Sequence, residues 1–157
     1  MNSTANINND TVARLANDCE NITALKEAGG SVDRVNQLVQ DCPDGFAILS
    51  GDDPLTLPFM SCGATGLVSV ASNIIPDVMA KLVRACLNGS YDEALAIQRQ
   101  YYPLLRALMS LDVNPVPVKT AAYLMGMCTP EIRLPLCNMP DDKIQDLKNL
   151  LDEFNLL

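Results

Sequence analysis

Between residues 21 and 87 the chain reads as a strand followed by a helix three times over, and beyond residue 90 it reads as helix only. The first strand is Asn21-Ile-Thr-Ala-Leu-Lys-Glu-Ala28, stopped by Gly29-Gly30. Ser31 then stands where it can cap a helix carrying Val32, Val35, Leu38 and Val39 on one stripe. After the turn Cys42-Pro-Asp-Gly45, the run Phe46-Ala-Ile-Leu-Ser50 predicts a buried strand. Gly51-Asp-Asp-Pro54 leads from it into a short helix with Leu55, Leu57, Phe59 and Met60. Gly66-Leu-Val-Ser-Val-Ala71 predicts a third strand, and residues 75–87 a helix with Pro76 in its first turn and Asn88-Gly89 at its end. In front of the first unit, Asp10 precedes an amphipathic helix over 11–19 with Val12, Leu15, Ala16 and Cys19 on one face. Behind the third unit lie helices over 91–111, 116–127 and 141–154.

Strands alternating with helices at this spacing pair in parallel, with the helices packed on the sheet. The expected fold class is therefore α/β. Three parallel strands alone leave two unpaired edges and an uncovered face, so the pattern asks for more strands than it holds. A (β/α)8 barrel takes about 250 residues. An open doubly wound sheet also fits the alternation, but no Gly-x-Gly-x-x-Gly or P-loop run supports its nucleotide-binding version.

Composition removes several chemistries. The net charge is -8 and no window concentrates Lys or Arg, which argues against nucleic acid as a partner. The chain has no histidine, so neither a Ser-His-Asp nor a Cys-His arrangement can be assembled from it. Its six cysteines form no C-x-x-C pair, which argues against zinc and for a reducing, cytoplasmic setting. The first ten residues have neither the basic nor the apolar region of a secretory signal. No apolar run approaches the ~20 residues that span a bilayer, so a soluble protein is expected.

General acid, base and nucleophile roles then fall to Lys, Tyr, Asp, Glu or water. Lys26 stands out. Strand alternation puts Ile22, Ala24 and Lys26 on one face and Thr23, Leu25 and Glu27 on the other, so an amine shares a face with small apolar groups. It also sits at the C-terminal end of its strand, where barrel enzymes hold their reactive groups. Loss of solvation there would favour the neutral amine, the form that attacks a carbonyl. A lysine snorkelling from a strand end or pairing with an acid is the competing reading of the same residues.

Five segments in order carry a family resemblance. Ala24-Leu-Lys-Glu-Ala-Gly29, Leu49-Ser-Gly-Asp-Asp53 and Gly63-Ala-Thr-Gly-Leu-Val-Ser-Val-Ala-Ser-Asn73 resemble strand-end segments of the dihydrodipicolinate synthase and N-acetylneuraminate lyase superfamily. Asn114-Pro-Val-Pro-Val-Lys119 and Ile132-Arg-Leu-Pro-Leu136 resemble tail motifs of its synthase branch. The resemblance implies a partial (β/α)8 TIM barrel, the last three units over residues 1–89, followed by a C-terminal α-helical region over 90–157. It makes Lys26 the nucleophile that forms a Schiff base with pyruvate, and Gly51 and Val68 positions lining the pyruvate pocket, Val68 through its carbonyl.

The implied reaction is condensation of pyruvate with aspartate semialdehyde on the route to diaminopimelate and lysine. These small molecules would be the partners, with no metal or organic cofactor and no membrane. The family's pyruvate-binding threonines and proton-relaying tyrosines belong to segments preceding Met1, and its aldehyde-binding arginine would fall near Asn2 or Ser3. The chain alone is therefore expected to be inactive, and to associate as a homo-oligomer or with an N-terminal half. Another pyruvate-dependent aldolase, or a non-catalytic half-barrel, are the alternatives.

The remaining candidates read as structural. Asp52 and Asp53 fit a turn and helix cap before Pro54 as well as a site. Tyr101 and Tyr102 suit packing within a long helix, Met125 and Met127 suit core filling or an interface, and Asp141 and Asp142 complement a helix dipole.

Overall fold

The structure, a computed structural model, describes residues 6–157. Helix α1 spans Asn9–Asp18 and opens on Asn8, whose side chain accepts from the Thr11 N–H. The helix thus begins two residues earlier than expected, and Asp10 lies inside its first turn. Strand β1 (Ala24–Glu27) is followed by α2 (Val32–Asp41), with Ser31 capping as expected by accepting from the Arg34 N–H. Strand β2 (Ala47–Ser50) leads through a 3-10 turn at Asp53–Leu55 into α3 (Thr56–Ser61). Strand β3 is only Gly66–Leu67, and a second 3-10 turn at Ala71–Asn73 precedes α4 (Pro76–Leu87).

The three strands form one parallel sheet in the order β1-β2-β3. Lys26 stands beside Leu49, Glu27 beside Ser50, and Leu49 beside Gly66. Pleating turns Leu25, Glu27, Ile48 and Ser50 one way and Ala24 and Lys26 the other. The first set is buried or half-buried, whereas Ala24 and Lys26 are exposed.

The third strand was expected over 66–71. It stops after two residues because the N–H groups of Val70 and Ala71 turn away from the sheet and donate to the carboxylate of Asp53. Backbone donors spent on a side chain cannot extend a ladder.

The tail is α5 (Tyr91–Ser110), α6 (Val116–Leu124) and α7 (Asp141–Glu153). Helix α6 ends three residues earlier than expected. Gly126, at φ +74°, reverses the chain there, and the Gly126 and Met127 N–H groups return to the carbonyls of Tyr123 and Ala122. One core runs from α2 to the tail and includes Val35, Leu38, Phe59, Leu82, Leu104, Leu108, Leu147 and Leu151, each with no solvent exposure. Tyr101 stacks on Phe154 with ring centroids 5.2 Å apart, while Tyr102 is exposed. Met125 packs on the core and Met127 is exposed. Among the described residues, no helix is long and apolar enough to cross a membrane.

Candidate active site

Parallel strands direct their C-terminal ends to one rim of the sheet, and the segments that leave those ends build the candidate site. Strand β1 delivers Lys26 and Glu27 one residue apart, which the pleat sends to opposite faces. Glu27 is buried at 3% exposure and fully engaged. One oxygen accepts from the Gly29 N–H at 2.6 Å and the other from Arg34 Nε at 2.7 Å. Arg34 also donates to the Asn9 side chain and to the Ile7 carbonyl, so one guanidinium ties β1, α2 and the start of α1 together.

Lys26 makes no ion pair among the described residues. It was expected among small apolar groups that would strip its solvation; the amine is instead exposed, because the face it shares with Ala24 is open. It lines an open cleft of ≈ 330 Å³ with Gly51, Asp52, Val70, Met109 and Asn114 among its walls. Gly51 is held there by its N–H, which donates to the Glu27 carbonyl at 2.7 Å. A Cβ built on Gly51 would come within 2.9 Å of both Lys26 Cε and Ala28 Cβ, so only glycine lets this loop close on the lysine stem.

Val68 donates its N–H to the Ser50 carbonyl at 2.8 Å and is 41% exposed. The residue of that segment lining the cleft is Val70, not Val68. Asn2 and Ser3, the positions matched to an aldehyde-binding arginine, lie outside the described residues.

Two carboxylates adjoin Gly51 and behave differently. Asp52 lines the cleft and makes no side-chain cap. Burial, above all, pushes its carboxyl above the ordinary range, with Asp53 adding to the rise and the Leu55 N–H and Arg106 opposing it. One of its oxygens is buried without a hydrogen-bond partner among the described residues, as is the side-chain oxygen of Asn114 on the same cleft. Asp53 is 1% exposed and caps no turn of its own; it reaches across 17 and 18 residues to the N–H groups of Val70 and Ala71. Sequence reasoning left this pair between a place beside the site, which Asp52 takes, and a local turn and cap; it missed the crossing made by Asp53, and it named neither Asn114 nor Met109 as a site residue.

No cysteine lines the cleft. All six thiols are free, and burial pushes those of Cys42 and Cys86 up, away from the reactive thiolate.

Parallel strands each followed by a helix, with an amine, a carboxyl and a glycine gathered at their C-terminal rim, define an α/β protein that keeps its polar chemistry at that rim. The chain belongs to the dihydrodipicolinate synthetase family, whose family model matches residues 1–154. It is 42% identical over 147 residues to the 4-hydroxy-tetrahydrodipicolinate synthase of Aquifex aeolicus, covering 94% of this chain and 50% of that protein. The crystal structure of dihydrodipicolinate synthase from that organism matches with a TM-score of 0.92. The solved 4-hydroxy-tetrahydrodipicolinate synthase of Methylacidiphilum fumariolicum matches with a TM-score of 0.92 at 50% identity, over 95% of this chain and 49% of that one. The chain spans about half the length of the curated relatives it matches.

Proposed function

We propose that this chain is the C-terminal half of a 4-hydroxy-tetrahydrodipicolinate synthase-type lyase, and that Lys26 is its Schiff-base nucleophile. The observation that carries this reading is the placement of Lys26 at a strand's C-terminal end, in an open cleft, with Gly51 fitted against its stem. The neutral amine adds to the keto carbon of pyruvate and loses water to give the imine. Loss of a methyl proton then gives an enamine, whose carbon adds to the aldehyde of aspartate semialdehyde. Covalent capture replaces a free carbanion with a delocalised one. Gly51 lines the pyruvate pocket in this half, and Val68, which lies outside the cleft, is read as reaching the pocket of the completed barrel through its carbonyl.

In this reading β1 to β3 are the last three strands of a (β/α)8 barrel within residues 1–89, and residues 90–157 are a helical region packed against it. Pyruvate-binding threonines and proton-relaying tyrosines come from the five preceding βα units, in a cytoplasmic homo-oligomer. The exposed face around Ala24 and Lys26 favours a second statement. This half alone binds pyruvate without completing the condensation, and turnover needs the other half of the barrel.

The test is reduction with borohydride in the presence of pyruvate, followed by peptide mapping. The five lysines of the chain provide internal controls, since only Lys26 lies in the cleft. Selective labelling of Lys26 is expected; labelling no faster than that of Lys81 or Lys148 overturns the assignment. Supplying the first five units and analysing products from aspartate semialdehyde and from sugar aldehydes separates the synthase from another pyruvate-dependent aldolase.

A further inference from the structure

We propose that Asp53 is a positioning residue for this cleft, a carboxylate clasp that fixes the loop after β2 against the loop after β3 and so sets the wall facing Lys26. The inference rests on the Schiff-base reading of Lys26 and adds to it a residue outside the cleft.

The clasp can be followed bond by bond. Asp53 Oδ2 accepts from the Val70 N–H at 2.9 Å and from the Ala71 N–H at 3.0 Å. Val70 lines the cleft, and so do Gly51 and Asp52 immediately before Asp53. A single oxygen therefore joins two of the cleft's walls. The third wall is joined to the same loop by the hydrogen bond from the Gly51 N–H to the Glu27 carbonyl, one residue from Lys26. The loop bearing Asp53 is itself anchored from behind: Thr56 Oγ1 donates to the Asp53 carbonyl at 2.9 Å, and Gln98 Nε2 to the Pro54 carbonyl at 2.9 Å.

Chemistry makes the carboxylate a demanding choice for this place. Among the described residues no basic side chain pairs with Asp53, and its Oδ1 is buried without a partner. Two hydrogen bonds accepted by one carboxylate oxygen fix both N–H vectors at once. The donors here belong to the turn that ended β3 early, so the clasp decides where the chain leaves the sheet and which residue of that segment reaches the cleft.

The experiment measures borohydride trapping at Lys26 against pyruvate concentration, in the full chain and in Asp53→Ala, Asp53→Asn and Leu82→Ala. Leu82 is fully buried in α4 and absent from the cleft lining, so its variant reports what lost stability alone does. Asp53→Ala is expected to raise the half-saturating pyruvate concentration about tenfold, below the ~10²-fold that a 1 Å misplacement of a reacting group can cost. Asp53→Asn keeps an acceptor and should show a smaller rise, with faster amide exchange at Val70 and Ala71. Leu82→Ala, at a temperature where it remains folded, should leave the half-saturating concentration unchanged.

If Asp53→Ala does not fold, the rise in Asp53→Asn decides. Wild-type half-saturation in the folded Asp53 variants overturns the clasp while leaving Lys26 in place. An equal rise in Leu82→Ala overturns it too, by making the effect one of stability. Failure of the unaltered chain to label Lys26 selectively overturns both readings, and that outcome is seen before any variant is made.

Discussion

Lys26 and Glu27 are consecutive in β1, carry opposite charges and have opposite fates. The pleat turns Glu27 into the protein, where both oxygens are bonded and Arg34 supplies the counter-charge at 2.7 Å. The same pleat turns Lys26 onto an open face, with no ion pair among the described residues. A buried charge that is fully partnered acts on the fold. An unpartnered amine at the rim of a cleft is free to act on a substrate. On the proposed reading of Lys26, one strand divides structural from chemical work between neighbours, and substitutions on the two sides should separate cleanly.

The sharpest break is Lys26→Ala. Pyruvate-dependent labelling of the cleft should disappear entirely, while the unfolding free energy from urea titration changes by no more than about 0.5 kcal/mol, as for other exposed positions. Persistent site-selective labelling, or a large stability loss, would erase the contrast between the two faces. On the other side, Arg34→Met leaves Glu27 buried without its partner and should cost about 3 to 5 kcal/mol. Denaturant titration measures it. Adding Glu27→Gln should recover part of that loss, and a double-mutant cycle without coupling would mean that the pair is not the anchor described.

Gly51→Ala tests the contact between the faces. The new Cβ would lie 2.9 Å from Lys26 Cε and 3.1 Å from the Glu27 carbonyl oxygen. Overpacking of this kind costs about 1 to 3 kcal/mol, and adduct formation should fall with it. Gly30→Ala is the control: φ there is +80° and nothing lies within 4 Å of the built Cβ. It should therefore cost about 1 kcal/mol through backbone strain and leave adduct formation alone. Equal labelling in the two variants would remove Gly51 from the site.

What was legible in the sequence was local or periodic. Ser31 could be read as a cap because its acceptor role is completed three residues later, at the Arg34 N–H. The parallel order followed from the strand-helix alternation, and the side of β1 on which Lys26 stands followed from period two. What was illegible depended on partners far along the chain. Nothing near Asp53 announces that its acceptors' donors lie 17 and 18 residues on, so the early end of β3 could not be foreseen. The exposure of Lys26 was misjudged for a related reason: alternation tells which face a side chain takes and says nothing about what covers that face.

The smallest effect concerns Asp52, which shares the rim with Lys26 but is held partly out of water. Burial raises its carboxyl above the value it has in an unfolded chain. Between the two values the folded state binds more protons than the unfolded one, so the contribution of Asp52 to stability falls as pH rises through that interval. Above it, the carboxylate is charged and poorly solvated in the fold, a cost that Arg106 and the Leu55 N–H offset only in part. Asp52→Asn should therefore stabilise the chain near neutral pH, by less than about 1 kcal/mol because solvent screens a group so near the surface. The gain should shrink as pH falls toward the ordinary carboxylate range. Unfolding midpoints of the two proteins across acid and neutral pH measure it; a gain that grows on acidification would show that Asp52 is stabilised as a charge, making the rim a second Glu27 rather than its opposite.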